Sequence, residues 1–200
     1  MKIDIEDVMF YMDAIRNSED KDRTLESFWK GQIRSKLWLI HILEKKIKQE
    51  NLNIVIHGGW NGVLASLLFN SKLNISKIIS IDIDPKCRDI AYTINKRQEI
   101  EGRFSAVCND MTRYSYENVP NIVINTSTEH VTDNQLAQWF ERIPTDATVV
   151  VQSNNFFSLD EHINCVHNPK QLEEKFNLKN TKDYTLKLPL YNRYMIIGKK

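Results

Sequence analysis

Glycine is scarce in this chain, six in 200 residues, and cysteine scarcer still at three. Cys87, Cys108 and Cys165 are widely spaced and odd in number. That argues against a disulfide framework and matches a reducing cytoplasm, the compartment expected here. Neither sign of charge dominates: 27 basic residues against 26 acidic ones leave a formal charge of +1. A broad polycationic tail for a nucleic-acid backbone is therefore missing. A compact basic face stays open, because net charge says nothing of distribution. No apolar run approaches the length of a membrane span, so no membrane partner is expected. The opening Met-Lys-Ile-Asp-Ile-Glu-Asp is too acidic and interrupted for a signal peptide. Internal repeats and low-complexity segments are absent too.

What remains is a chain of 42% hydrophobic content, enough for one globular domain with a full core. Three of its glycines fall together, at Gly58, Gly59 and Gly62. They follow a short apolar run, Ile54 to Ile56, and precede a periodic one from Val63. A second β-branched run, Ile78 to Ile83, holds one aspartate and is followed by another and Pro85. The order is strand, tight turn, helix, strand, acid, the layout of a nucleotide-binding βαβ unit. Glycines let a ligand approach the main chain. The helix N-terminus offers unpaired N–H groups to an anionic group. Asp82, about 20 residues past the glycines, is placed to accept from two ribose hydroxyls. The G-x-G-x-x-G spacing is missing, so a nucleoside with a smaller anionic tail fits better than a pyrophosphate. The plain alternative is a βαβ unit whose glycines serve packing only.

The stretch from His57 to Asp82 resembles the first motifs of class I S-adenosylmethionine-dependent methyltransferases. In that family an acid-x-Gly-x-Gly-x-Gly loop follows the first strand. Here His57 stands at the acid, Gly59 at the first glycine and Asn61 at the second. Asn tolerates a left-handed backbone better than other non-glycine residues, so the turn is expected to survive with Asn61. The resemblance implies a Rossmann-like α/β fold: a seven-stranded, mostly parallel sheet with an antiparallel C-terminal strand. It implies S-adenosylmethionine as cofactor, held by His57, Gly58, Gly59, Trp60 and Gly62, with Asp82 on the ribose. After the third strand, Asp110 and Met111 fit the family's adenine contacts, a carboxylate for the amine and a thioether against the ring. An Asx turn at Asn109 or Asp110 is the competing reading.

The elements in order support that layout. Residues 4 to 16 read as a helix with Val8, Tyr11, Met12 and Ile15 on one face. Thr24 to Gln49 reads as one long helix, with Leu25, Phe28, Trp29, Ile33, Leu37, Ile40 and Leu43 as its stripe. Residues 1–50 thus form a helical segment on a core of 51–200, a single domain overall. In the family such a segment shapes the substrate pocket; Gln32, Ser35 and Lys36 are its polar candidates, Lys36 for a carboxylate. Strands are expected at Phe104–Val107, Asn121–Asn125 and Ala147–Gln152, with helices at Val63–Asn70, Lys86–Arg97, Thr132–Arg142 and Lys170–Phe176. Two strands flanking Pro189 to Asn192 close the chain as a hairpin.

The catalytic candidates follow the fourth strand. Glu129 and His130 are candidates for a general base, and Asn125 for orienting cofactor or substrate. The Asn/Asp-Pro-Pro-aromatic motif of base-amine methyltransferases is absent. Thr126-x-x-Glu129 is also a helix-capping pattern. After the fifth strand, Asn154, Asn155, Phe156 and Phe157 are candidate substrate contacts, or an Asn-rich turn with core aromatics. His162-x-x-Cys165-x-His167 carries zinc-type ligands without a fourth or the paired spacing, so no metal is expected. Glu161 and His162 alternatively reach the substrate pocket. The function these residues imply is methyl transfer to a small-molecule acceptor, with RNA or protein acceptors open. Its rivals are aminopropyl transfer from the same cofactor and a non-catalytic binding protein.

Overall fold

A computed structural model describes residues 4–200. Its seven strands form a mixed sheet in the order β3-β2-β1-β4-β5-β7-β6; seven strands with an antiparallel one at the C-terminus are what the resemblance implies. The chain divides into two compact units, one running up to Asn109 and the other from Asp110 to Lys200.

The first unit opens with three helices, α1 (Ile5–Asn17), α2 (Lys21–Glu26) and α3 (Lys30–Lys46). The single long helix expected from Thr24 to Gln49 is broken. Ser27 Oγ turns back onto the Thr24 carbonyl at 2.6 Å, and Trp29 takes an extended ψ of 146° before α3 restarts. The apolar faces also differ from expectation. In α1 the buried residues are Asp7 and Ala14, while Val8 and Met12 are exposed. Asp7 is buried because it is satisfied: Arg97 donates to both of its oxygens at 2.8 and 2.9 Å, and Asn70 donates at 2.8 Å. In α3 the inner face is Ser35, Lys36, Leu39, Ile40 and Leu43, whereas Leu37 faces out, as do Leu25 of α2 and Trp29 ahead of α3.

Strand β1 (Leu52–His57) lies parallel to β2 (Ile75–Asp82), and β2 parallel to β3 (Phe104–Cys108). Between them run α4 (Val63–Phe69), then α5 (Pro85–Ile94) and α6 (Lys96–Ile100). Asp84 caps α5 by accepting from the Lys86 amide at 2.9 Å, with Pro85 at the first helical position, where its missing N–H costs nothing.

The second unit holds β4 (Ile122–Asn125) parallel to β5 (Thr148–Asn154), and β7 (Asn192–Lys199) antiparallel between β5 and β6 (Lys179–Lys187). Every residue of β5 is buried, as a strand covered on both faces requires. Helices α7 (Asp133–Arg142) and α8 (Pro169–Glu174) bring Trp139, Leu172 and Phe176 against Val149, Val151, Tyr194 and Ile196. The edge strand β6 carries Lys179, Lys182 and Lys187, charges that discourage pairing with another chain. The capping box falls at Thr132 and Gln135, six residues beyond Thr126–Glu129, which instead lead into a short 3₁₀ turn at Thr128–His130. Cys87, Cys108 and Cys165 are free thiols.

Candidate functional site

In the first unit, the loop after β1 and the acid ending β2 are joined directly. Asp82 Oδ2 accepts from the Trp60 amide at 2.8 Å, and Asp82 Oδ1 accepts from the Asp84 amide at 3.0 Å. Each oxygen keeps a further lone pair. Trp60, Ser80, Asp82, Asp84, Arg88, Ala91, Ala106 and Val107 line a cavity there. The turn is built from left-handed residues at Gly58 (φ 62°), Trp60 (φ 48°) and Gly62 (φ 74°). The left-handed non-glycine residue is therefore Trp60 and not Asn61. A bulky residue in that region carries local strain, a feature that clusters at ligand-binding turns. Asn61 lies beneath the loop, 1% exposed, with neither side-chain polar atom partnered among the described residues.

Gly59 has a different task. A Cβ added there falls 2.0 Å from Ser80 Oγ and 3.2 Å from Ser80 Cβ. The glycine lets the loop close on β2. Gly59→Ala is expected to cost about 1–3 kcal/mol as an overpacked contact. Ser80→Ala in the same chain is expected to return part of it. Urea midpoints of the two variants check this; equal midpoints for wild type and Gly59→Ala would remove the packing role.

His57, at the carboxyl end of β1, has no exposed surface. Burial pushes its imidazole down from 6.5 to about 3, so it is neutral at physiological pH where the family has an acid. Lys36 is buried on α3, and its ammonium donates to Gln32 Oε1 at 2.8 Å. Near Asp82, burial raises the Cys87 thiol to about 12, which keeps it protonated.

The second unit opens on Asp110, whose Oδ1 accepts from the Thr112 amide and hydroxyl, both at 2.8 Å. The amide bond is the main cause holding its carboxyl below the usual range. This is the Asx-type turn weighed against adenine binding; Oδ2 lies 4.0 Å from Arg113 Nε. Met111 packs on the core and its sulfur accepts from Asn125 Nδ2 at 3.5 Å. Asn125 Oδ1 accepts from the Ser127 amide at 2.9 Å, so Asn125 is occupied by its own loop.

Beyond β4, Glu129 is the centre of a buried polar network. Arg193 Nη1 donates to its Oε1 at 2.6 Å, and Asn154 Nδ2 donates to the same oxygen at 2.8 Å. Arg193 also donates from Nε to Gln152 Oε1 at 3.2 Å and from Nη2 to the Thr126 carbonyl. Asn154 is buried, and its Oδ1 accepts from the Phe156 amide at 2.8 Å and the Cys165 thiol at 3.3 Å. Asn155 Oδ1 accepts from the Asn192 amide at 2.7 Å, tying β5 to β7. Phe156 stacks on Tyr191 at 5.2 Å, while exposed Phe157 stacks on His167 at 4.6 Å.

Glu129 Oε2 is buried and has no partner among the described residues. His130 is exposed beside it, with Nδ1 3.1 Å from the Glu161 carbonyl. His162 places Nδ1 2.9 Å from the Phe156 carbonyl, and the two imidazoles meet edge to face at 4.8 Å. Sequence reading did not find Arg193. Its only sequence signal is a cation directly before the apolar run Tyr194-Met-Ile-Ile.

No family model matches this chain, and no curated protein does. Solved structures do match in fold. The N-methyltransferase NodS from Bradyrhizobium japonicum WM9, in complex with S-adenosylhomocysteine, aligns with a TM-score of 0.68 at 9% identity, over 96% of this chain and 99% of that one. Haemonchus contortus phosphoethanolamine N-methyltransferase 2, in complex with S-adenosylmethionine, aligns with a TM-score of 0.61 at 11% identity, over 84% of this chain and 52% of that one. The [4+2]-cyclase SpnF aligns with a TM-score of 0.66 at 10% identity, over 84% of this chain and 82% of that one. The chain has the α/β fold shared by these proteins. A cyclase among them means that the fold does not by itself fix the reaction.

Proposed function

We propose that the chain binds S-adenosylmethionine and transfers its methyl group to a small-molecule acceptor. The observation that carries this is the contact between the β1 loop and the β2 acid. Left-handed Gly58 and Trp60, both partly exposed, turn the main chain just before α4, and Asp82 stands beside them with unused lone pairs. A nucleoside needs that pair: a carboxylate for two vicinal hydroxyls and a close approach to backbone. Gly58, Gly59, Trp60 and Gly62 would hold the cofactor with Asp82. The complexes of NodS and of the phosphoethanolamine enzyme support the cofactor choice.

The cofactor supplies a methyl carbon activated by its positive sulfur. The chain's own part is positioning, exclusion of water and proton handling. Of the two candidate bases, His130 is the better placed. Its Nδ1 lies against a carbonyl, so that nitrogen carries the hydrogen and Nε2 keeps a lone pair. Glu129 has one oxygen committed to Arg193 and Asn154, and its role is to fix the site. A balanced net charge and the phosphoethanolamine N-methyltransferase among the structural neighbours favour a small acceptor.

Calorimetric titration with S-adenosylmethionine and S-adenosylhomocysteine tests the reading. Wild type is expected to bind both. Asp82→Asn is expected to bind at least about tenfold more weakly, since a hydrogen bond to a charged group contributes about 1.5–3 kcal/mol. A folded wild type that binds neither ligand would sink the proposal. One observation favours a second reading. Neutral, buried His57 at the family's acid position withdraws a negative charge from the cofactor's amino-acid end. A differently held tail suits aminopropyl transfer, and methylthioadenosine as product identifies it.

A further inference from the structure

We infer that Glu129, His130 and His162 form a binding site for a divalent first-row transition cation. One carboxylate oxygen of Glu129 and one ring nitrogen of each histidine lie within 4.8 Å of one another. Three independent features make this more than a cluster.

The first is the histidine tautomers. Both Nδ1 atoms face backbone carbonyls, of Glu161 and Phe156. A carbonyl only accepts, so each Nδ1 is the protonated nitrogen and each Nε2 presents its lone pair. Outer hydrogen bonds of this kind orient metal-binding imidazoles. The second is the carboxylate. Oε1 is held by Arg193 and Asn154, which leaves Oε2 buried, partnerless and beyond the reach of bulk water. An unpaired buried carboxylate oxygen is costly, and a cation smaller than water satisfies it.

The third is the way the two segments are clipped together. The Asn164 amide donates to the Glu129 carbonyl at 2.9 Å, and its side chain donates to the Val131 carbonyl at 2.7 Å. Lys175 donates to Asn164 Oδ1 at 2.8 Å. The loop carrying His162 is thereby fixed against the turn carrying Glu129 and His130.

Two imidazoles and a carboxylate select Mn²⁺ to Zn²⁺ over Mg²⁺ or Ca²⁺, which take oxygen ligands. Ligand bonds of about 2.0–2.1 Å place donor atoms roughly 3.3 Å apart, so the histidines close by at most about 1.5 Å on binding. His130 is exposed and His162 half-exposed, so both have room to close. Three protein ligands leave positions for water or for an acceptor oxygen. The site does not depend on methyl transfer. If a cation takes the His130 lone pair, that nitrogen is a ligand and not a base.

The test is metal binding by the full chain after chelator treatment. Zn²⁺ is titrated by calorimetry and Co²⁺ by visible absorption. Wild type is expected to take up one equivalent of either. His162→Ala is expected to weaken binding by at least about 10–100-fold, the range that even outer-shell losses produce. His130→Ala and Glu129→Gln are expected to do the same. His167→Ala, in the sequence-adjacent zinc-type pattern, is expected to leave binding unchanged. If Glu129→Gln does not fold, His162→Ala decides, because His162 lies on a loop. A folded wild type that binds neither cation overturns the inference. So does wild-type affinity in His162→Ala, or loss of binding in His167→Ala.

Discussion

Acidification from pH 6.5 to about 4.5 is expected to remove about 2 kcal/mol of stability through one side chain, His57. Burial lowers its folded value from 6.5 to about 3. Between those two values the unfolded chain binds a proton at this residue and the folded chain does not. Stability therefore rises with pH across the window and is fully present above 6.5. Extended to pH 3 and below, the loss approaches 5 kcal/mol, a large share of what an ordinary domain possesses. Carboxylates act in a separate window. Asp84, Asp110 and Asp133 have folded values below 3.8, so their contributions are present above that value and fade only as pH falls through the lowered ones. The interval from 6.5 to 4.5 thus isolates His57 from them. Urea midpoints measured across it are expected to fall steadily in wild type and to stay nearly flat in His57→Gln. A variant that keeps the wild-type slope would assign the acid sensitivity elsewhere.

His57 also illustrates what the sequence made legible. The βαβ order, the acid at Asp82 and the closing hairpin were readable because each depends on local periodicity and on spacing along the chain. What local pattern did not reveal was which face of a helix turns inward. Asp7 goes inside α1, in place of Val8 and Met12, because Arg97 and Asn70, some 60 to 90 residues away, satisfy it. Likewise Lys36 goes inside α3 while Leu37 stays at the surface. Trp60 takes the left-handed turn position that its side chain disfavours, because Asp82 on another strand accepts its amide. The Glu129 centre was half legible. Glu129 and His130 were adjacent in sequence, but His162 was grouped with Cys165 and His167 by spacing, and β5 and β7 supply Asn154 and Arg193 from afar. Polar partners separated by tens of residues leave no periodic trace.

Arg193→Met is expected to destabilise the chain by about 3–5 kcal/mol, the range for removing one member of a buried ion pair. Arg193 and Glu129 side chains are 8% and 3% exposed, and their atoms meet at 2.6 Å. Removing the guanidinium leaves the carboxylate buried with Asn154 alone, and it strips donors from Gln152 and the Thr126 carbonyl as well. The companion expectation separates stability from positioning. In Glu129→Gln with Arg193→Met, neither charge is left unpaired, so the double variant is expected to recover part of the single variant's loss. Urea unfolding of the two singles and the double gives the coupling directly. A double variant as unstable as the sum of the singles would show that the charges do not interact across that contact. A buried ion pair often contributes no more than an apolar pair of the same volume, so a recovered double variant would show that stability alone does not call for this one. Its other role is then geometric. It holds Oε1 of Glu129 and leaves Oε2 unpartnered among the described residues, in the cluster that His130 and His162 share. In that case Arg193→Met, which keeps the carboxylate and loses its anchor, is expected to bind Zn²⁺ and Co²⁺ more weakly than wild type in its folded fraction, and the pair is a device for aiming a carboxylate.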